Sequence, residues 1–310
     1  MSMNETPILS LCLPTNGVVE WVFPVLDSIF AQQADCRQFE VVVTDNGSNQ
    51  EFKKIMLEKY VPQYENLVYA QTDAPLFLNE IEAYKRASGE LIKFVNHRTL
   101  LVDGAVEKLI RFAQEHMTEK PVVYFSNGLP HLKQERFTYP SFDLFVRNLS
   151  YWSSWSTGMT FWKSDFDMLP KDTVFNYLFP HTTVLIQIRD RDRYIIDNTV
   201  IMDEMPVGNR PKGKYDLFYA FAVEYPGILS DLLRAGDITH ETFLYVKGEN
   251  LKFLSELYFD FVLRKKYCSY DLSGYDRSIQ VFYSHAQMKK QLRTLTVSRI
   301  LGKVKRALKR

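Results

Sequence analysis

The ten residues Phe39-Glu-Val-Val-Val-Thr-Asp-Asn-Gly-Ser48 carry the clearest chemical signal in the chain. A β-branched run ends abruptly in a carboxylate, an Asn-Gly turn and a serine. Val41 to Val43 is apolar at successive positions, which predicts a strand covered on both faces, as in a parallel sheet. Asp45 then sits at the carboxyl end of that strand, where open α/β sheets bind ligands. A carboxylate fixed there can accept hydrogen bonds from the base or ribose of a nucleotide. Asn46-Gly47 supplies the tight turn, with Gly47 placed to take a positive φ. The segment also reads as a plain strand-turn-helix in which Asp45 is only a cap.

The elements around it favour a ligand site. Ile8-Leu-Ser-Leu-Cys-Leu-Pro-Thr-Asn-Gly17 reads as a first strand, stopped by Pro14 and a polar loop. Val18 to Gln33 has helical spacing of apolar residues. Asn66 to Gln71 predicts a third strand, Leu78 to Ala87 a helix, Glu90 to Val95 a fourth strand, and Asp103 to His116 another helix. Strand and helix alternate over the first 125 or so residues, which predicts an α/β fold with a mostly parallel sheet flanked by helices.

This segment resembles the nucleotide-sugar-binding half of family-two glycosyltransferases of the GT-A fold. In pattern it is similar to the abequosyltransferase-like group of bacterial surface-polysaccharide transferases. The matching pieces are Leu13-Pro14-Thr15-Asn16, Val43-Thr44-Asp45-Asn46-Gly47-Ser48, Asn79 and Ala83 before Ser88-Gly89-Glu90, and Phe94-Val95. The resemblance implies that Pro14, Thr15, Asn16, Asp45, Asn46 and Asn79 hold the nucleoside of a nucleotide-sugar donor. It implies glycosyl transfer, inverting, onto a glycan or polyprenyl-linked acceptor in capsule or lipopolysaccharide O-antigen synthesis.

The chain departs from that family at one place. Where the family has an acidic metal-binding cluster after the fourth strand, this sequence has Asn96-His97-Arg98-Thr99. Hard cations want carboxylate oxygens, and the acid that remains nearby in sequence is Asp103. Three readings stay open. Arg98 takes over the metal's role at the donor diphosphate, since a guanidinium pairs well with phosphate. Alternatively His97 ligates Mn2+, or less readily Mg2+, with help from Asp103 or a more distant acid. Or catalysis has been lost, leaving a silent nucleotide-sugar-binding or scaffold protein.

Past residue 125 the chain turns aromatic. Pro121 to Phe125 predicts a strand, and a polar loop leads to Tyr151, Trp152 and Trp155. Ser156 to Phe161, with Gly158 in its turn, resembles the acceptor-side segment of the same transferases. Trp152 and Trp155 have faces that could border a sugar, although aromatic residues are more often buried for packing. Pro180 suits the first turn of a helix, which sets His181 at a helix start 83 residues past Arg98. In inverting transferases of this fold an acidic residue at a comparable place acts as base. An imidazole can also take a proton near neutral pH, and Asp165 and Asp172 are the fallback candidates.

These features divide the chain into a transferase domain over 1–210, with a nucleotide-sugar half to about 125 and an acceptor half over 126–210, and a mostly helical region over 211–310. Asp216 to Ala235, His240 to Lys266 and Tyr275 to Gln287 read as helices, with breaks at Gly227 and Gly236-Asp237. From Lys289 to Arg310 there are nine Lys or Arg and no acid, with Val297, Ile300, Leu301, Val304 and Leu308 at helical spacing. A basic amphipathic helix of this kind can lie on an anionic membrane surface.

Composition limits the alternatives. With 310 residues, 46% of them hydrophobic, the chain can bury a large core, and a net charge of +1 gives no sign of nucleic acid binding. Cys12, Cys36 and Cys268 have no metal-ligand spacing and suit free thiols in a reducing cytoplasm. No secretory signal or membrane-spanning run is expected, so the protein is predicted to be cytoplasmic and peripheral at the inner face of the membrane. Pro14-Thr-Asn-Gly-Val-Val19 lacks the glycine pattern of a dinucleotide fold, and no P-loop occurs.

Overall fold

A computed structural model describes residues 6–129, 131–206, 211 and 213–307, with the side chains of 302–307 excepted. The chain divides into two compact units, Met1–Phe145 with Trp152–Pro206, and Val146–Tyr151 with Val207–Arg310.

The first unit is built on an eight-stranded sheet. Its strands are β1 (Leu9–Thr15), β2 (Phe39–Asp45), β3 (Leu67–Gln71), β4 (Leu91–Phe94), β6 (Val122–Phe125), β7 (Arg136–Tyr139), β8 (Met159–Trp162) and β9 (Tyr194–Asp197). A separate two-stranded ribbon pairs β5 (Thr99–Leu101) with β10 (Met202–Glu204). The strand order is β3-β2-β1-β4-β8-β6-β9-β7. β3, β2, β1 and β4 run parallel, and β8 is antiparallel to both β4 and β6. β9 is parallel to β6, and β7 closes the edge antiparallel to β9. The sheet is therefore mostly parallel, as the alternation predicts.

Every residue of β2 is buried. The apolar run at Val41–Val43 is continuous because helices cover both faces, so no position along the strand faces water. Val22, Val25, Leu26 and Ile29 of helix Val19–Phe30, together with Leu109 and Phe112 of helix Ala105–His116, pack with Leu11, Leu13 and Val41 in one core. At the amino ends of the strands, Glu40 accepts from Ser10 Oγ and from the backbone N–H of Ser88, both at 2.5 Å. Gly89 is required there by close approach, since a Cβ would lie 2.7 Å from the Leu9 carbonyl carbon.

The second unit is helical. Phe218, Ala222, Leu254, Ile279, Tyr283 and Met288 form its core. Asn250 donates from its amide to Phe221 O and to Tyr283 Oη, both at 2.8 Å. Gly236 ends helix Tyr225–Ala235 in the left-handed region, at φ 80°. The break expected at Gly227 is absent, because that residue lies inside the same helix. A glycine there costs only about 1 kcal/mol, and buried Tyr225, Leu229 and Leu232 outweigh it. The span expected as one helix over 275–287 is two, Tyr275–Phe282 and His285–Ala307, because Tyr283 is extended. Val297, Ile300 and Leu301 are exposed on the latter helix, while Arg299 bonds Asp260 at 2.9 Å. Leu308, Lys309 and Arg310 of the amphipathic tail lie outside the described residues, as do the side chains of Lys303, Val304, Lys305 and Arg306.

Candidate functional site at the strand ends

Parallel pairing sets the carboxyl ends of β2, β1 and β4 side by side, with Asp45 beside Thr15 in register and Phe94 opposite Cys12. Three pieces of sequence therefore converge at one edge: the Thr15-Asn16-Gly17 loop, the Asp45-Asn46-Gly47 turn and the Asn96-His97-Arg98 turn.

Asp45 is 1% exposed. It accepts from Gly47 N–H at 2.8 Å and from Tyr69 Oη at 3.1 Å. Burial pushes its carboxyl above the ordinary range, against the opposing hydrogen bonds from Gly47 and Tyr69. Gly47 does not use a positive φ; Gly17 does, at φ 74°. Gly47 is needed for space, because a Cβ would stand 2.0 Å from Asn16 O. Asn46 is committed to its own loop, donating to Ala74 O at 2.8 Å and Leu76 O at 3.1 Å.

Asn79 is 2% exposed and fully engaged. Its amide donates to Thr15 O at 3.1 Å and Thr44 O at 2.8 Å, and its Oδ1 accepts from Thr72 at 2.8 Å. In this geometry it ties the ends of β1 and β2 together, with both amide N–H groups committed to backbone oxygens. Pro14 lies within β1, paired with Thr44.

Thr15 Oγ1 lies 2.9 Å from His97 Nδ1 and accepts from Gly17 N–H at 3.1 Å. With that N–H accepted, the threonine hydroxyl can donate to Nδ1, which leaves the ring proton on Nε2. Burial, reinforced by the neighbouring Arg98 charge, lowers His97 to about 3, so the ring is neutral at pH 7. Arg98 lies over the Trp21 ring, 5.5 Å from its centroid, and Trp21 meets His97 edge-on at 5.3 Å. Among the described residues the Arg98 side chain has one polar contact, at 3.5 Å with Asn96 Oδ1. Among the described residues no carboxylate pairs with it. A half-buried guanidinium on an aromatic face with open donors is an anion receptor.

The donors for a divalent cation are poorly placed. Asn96 Oδ1 already accepts from Arg98 N–H at 3.0 Å, and His97 Nδ1 faces Thr15. Among the described residues no three His, Cys, Asp or Glu side chains converge. Arg98 adds a positive charge at the same turn. These residues do not fit a dedicated cation site. Asp103 is exposed beyond β5. The sequence suggested it as the one nearby acid, but β10 sets Glu204 opposite Thr99, with Met205 N–H bonded to Arg98 O at 2.9 Å.

In the segment expected to border an acceptor, Trp152 and Trp155 pack edge-on at 4.5 Å, both half-buried. Gly158 is required by Tyr124, whose ring would lie 2.1 Å from an added Cβ. Lys93, 1% exposed in β4, donates to Thr157 O at 2.5 Å, Phe94 O at 3.0 Å and Met159 O at 3.3 Å. Burial without a carboxylate lowers it to about 7. The lone lysine in Leu91-Ile-Lys-Phe94 was the available signal for it, and Trp21, Tyr69 and Tyr124 carried none.

His181 stands at the start of helix Pro180–Gln187, where Pro180 predicts it. It is 4% exposed, with Nδ1 3.1 Å from Glu80 Oε2 and Nε2 3.0 Å from Ser154 O. Both ring nitrogens are taken, so this geometry offers no lone pair to an acceptor hydroxyl. Asp165 pairs with Arg191 beyond the end of β8, at the opposite edge of the sheet, and Asp172 is exposed. A surface cleft lined by Glu119, Pro121 and Asp190–Tyr194 also lies at that opposite edge, away from the converging loops.

The chain superimposes on solved glycosyltransferases. S. aureus TarS 1–349 in complex with UDP-GlcNAc matches at TM-score 0.56 and 17% identity, over 95% of this chain and 92% of that one. The fold is that of a glycosyltransferase. A longer TarS structure matches at TM-score 0.51 and 20% identity, and this chain spans 44% of its length. The mannosyltransferase PcManGT from Pyrobaculum calidifontis, in complex with GDP-Man and Mn2+, matches at TM-score 0.52 and 13% identity, over 93% and 86% of the two chains. No protein-family model and no curated protein sequence matches.

Proposed function

We propose that this protein transfers a sugar from a nucleotide-sugar donor to a glycan or polyprenyl-linked acceptor, with inversion, in bacterial capsule or O-antigen synthesis. The observation that carries the reading is Arg98. Its guanidinium is unpaired among the described residues, and it belongs to the turn that His97 bonds to Thr15, the register neighbour of Asp45. The solved proteins of this fold hold UDP-GlcNAc and GDP-Man, which supports a nucleotide sugar as donor.

In this reading the Thr15-Asn16 loop and Asp45 receive the nucleoside. Arg98 and the Nε2–H of His97 face the diphosphate, placing positive charge and a donor where negative charge grows as the sugar leaves. Trp152 and Trp155 border the acceptor. The exposed Val297, Ile300 and Leu301, on a segment with nine basic residues and no acid, support peripheral contact with an anionic membrane. Among the described residues no helix is long and apolar enough to cross one.

The test is a calorimetric and thermal-shift screen with UDP-, CDP-, GDP- and dTDP-linked sugars, with and without Mn2+. A ligand that binds the native state raises its melting temperature. One nucleotide sugar should stabilise the protein and be hydrolysed slowly in the absence of acceptor. Binding without any turnover supports the silent-scaffold reading, and no binding by any donor ends both.

A further inference from the structure

The Trp152–Trp155 turn is held by its backbone oxygens. The Tyr124 hydroxyl lies 2.7 Å from the carbonyls of both Trp152 and Trp155. Thr182 Oγ1 donates to Ser153 O at 2.9 Å, and His181 Nε2 lies 3.0 Å from Ser154 O. Four successive carbonyls are thus gripped by side chains, two of them by the first turn of helix Pro180–Gln187. The other ring nitrogen of His181 reaches Glu80, 3% exposed in the first turn of helix Asn79–Arg86.

Ser154 O can only accept, and the Glu80 oxygen accepts when its carboxyl is ionised. A neutral imidazole has one N–H and one lone pair, so it satisfies one oxygen and turns a lone pair against the other. A doubly protonated ring satisfies both, and the Glu80 carboxylate balances its charge, as a buried charge requires. We propose that His181 is an imidazolium held by Glu80, and that this pair positions the tryptophan turn rather than acting as a base. Asn79 ties the same helix to the ends of β1 and β2, so the latch joins the nucleoside edge to the acceptor edge.

The other groups around the pair leave the proton in place. Helix Asn79–Arg86 adds Tyr84, whose hydroxyl has no hydrogen-bond partner among the described residues and is kept protonated by its burial, reinforced by Glu80 and Cys12. Glu82, Lys85 and Arg86 on that helix pair with one another at the surface. Helix Pro180–Gln187, strand β8 and the segment 152–158 contain no other ionisable side chain. Lys93 grips Thr157 and Met159, farther along the segment.

The experiment is 15N NMR of the histidine side chains in the full protein, with His181 assigned by His181→Gln. At pH 7 both ring nitrogens of His181 should show protonated shifts, and one protonated with one lone-pair nitrogen would overturn the proposal. Raising the pH removes the ring proton and sets a lone pair against an acceptor. Amide exchange in residues 152–158, corrected for its intrinsic pH dependence, should then accelerate by about tenfold or more, the equivalent of one charged hydrogen bond. Exchange in β1 and β2 should not change. His181→Gln should exchange fast at every pH, whereas a wild-type-like pH step in this variant would also overturn the proposal. The wild-type spectrum decides the proton even if the variant fails to fold. The kinetic consequence, a raised acceptor KM with unchanged donor affinity, rests on the acceptor reading above. A protonated His181 in a protein that turns over no donor would defeat that reading and leave the latch standing.

Discussion

His97 Nδ1 lies 2.9 Å from Thr15 Oγ1, joining two loops 82 residues apart in the chain. That bond fixes the turn after β4 against the end of β1 and holds the neutral His97 ring beside Arg98. The turn where the resemblance leads one to expect a metal site therefore carries the Arg98 guanidinium beside a neutral imidazole.

Arg98→Ala should weaken binding of a nucleoside diphosphate by about 1.5–3 kcal/mol, the range for a hydrogen bond to a charged group. The bare nucleoside should bind as before. Turnover in the wild type should survive EDTA. If EDTA abolishes it and Mn2+ restores it, Arg98 is not the substitute and His97 becomes the better ligand candidate.

Asp45 tests the nucleoside edge. Asp45→Ala should weaken nucleoside binding by about 1–3 kcal/mol. Asp45→Asn keeps an acceptor for Gly47 N–H and should leave the melting temperature at pH 7 equal or higher. The raised native pKa means that ionising Asp45 costs the folded state more than the unfolded one. Its unfavourable contribution therefore grows as pH rises through the carboxylate range, and Asn removes it. A melting temperature that falls with Asn as far as with Ala would refute this account of Asp45.

Lys93 has a defined pH window. It titrates at about 7 in the fold against 10.5 unfolded. Between these values the unfolded chain binds more protons, so native stability rises with pH across that range. Below it the penalty for the buried ammonium is constant. Urea unfolding of Lys93→Met should lack this slope, so the stability of the wild type relative to the variant should rise from pH 7 to pH 10. Parallel pH profiles would show that Lys93 titrates normally.

The tail prediction concerns membranes. Full-length protein should sediment with anionic vesicles at low salt and stay in solution at high salt. Truncation after Arg299 keeps the Asp260 contact and removes Ile300, Leu301 and five of the basic residues. At about 1 kcal/mol per basic residue near such a surface, the truncated protein should stay in solution with the melting temperature unchanged. Failure of the full-length protein to sediment would end the idea.

Much of the first unit was legible in the sequence for a local reason. A strand buried on both faces needs an unbroken apolar run, so Val41–Val43 declares β2 and places Asp45 at its end. Pro180 declares the helix that carries His181 in its first turn. Strand existence and the carboxyl-end position of the polar loops follow from such local patterns. Long-range pairing does not. β10 is three residues long, and only its alignment on β5 brings Glu204 opposite Thr99. Asn79 and His181 are polar residues near predicted loops, which in sequence suits a site. Packing then surrounds both with acceptors and donors from distant segments, and a buried polar group must take those partners. Arg98 was placed by sequence, but its freedom from any carboxylate among the described residues, and its seat on Trp21, were set by how helix Val19–Phe30 docks under the turn after β4.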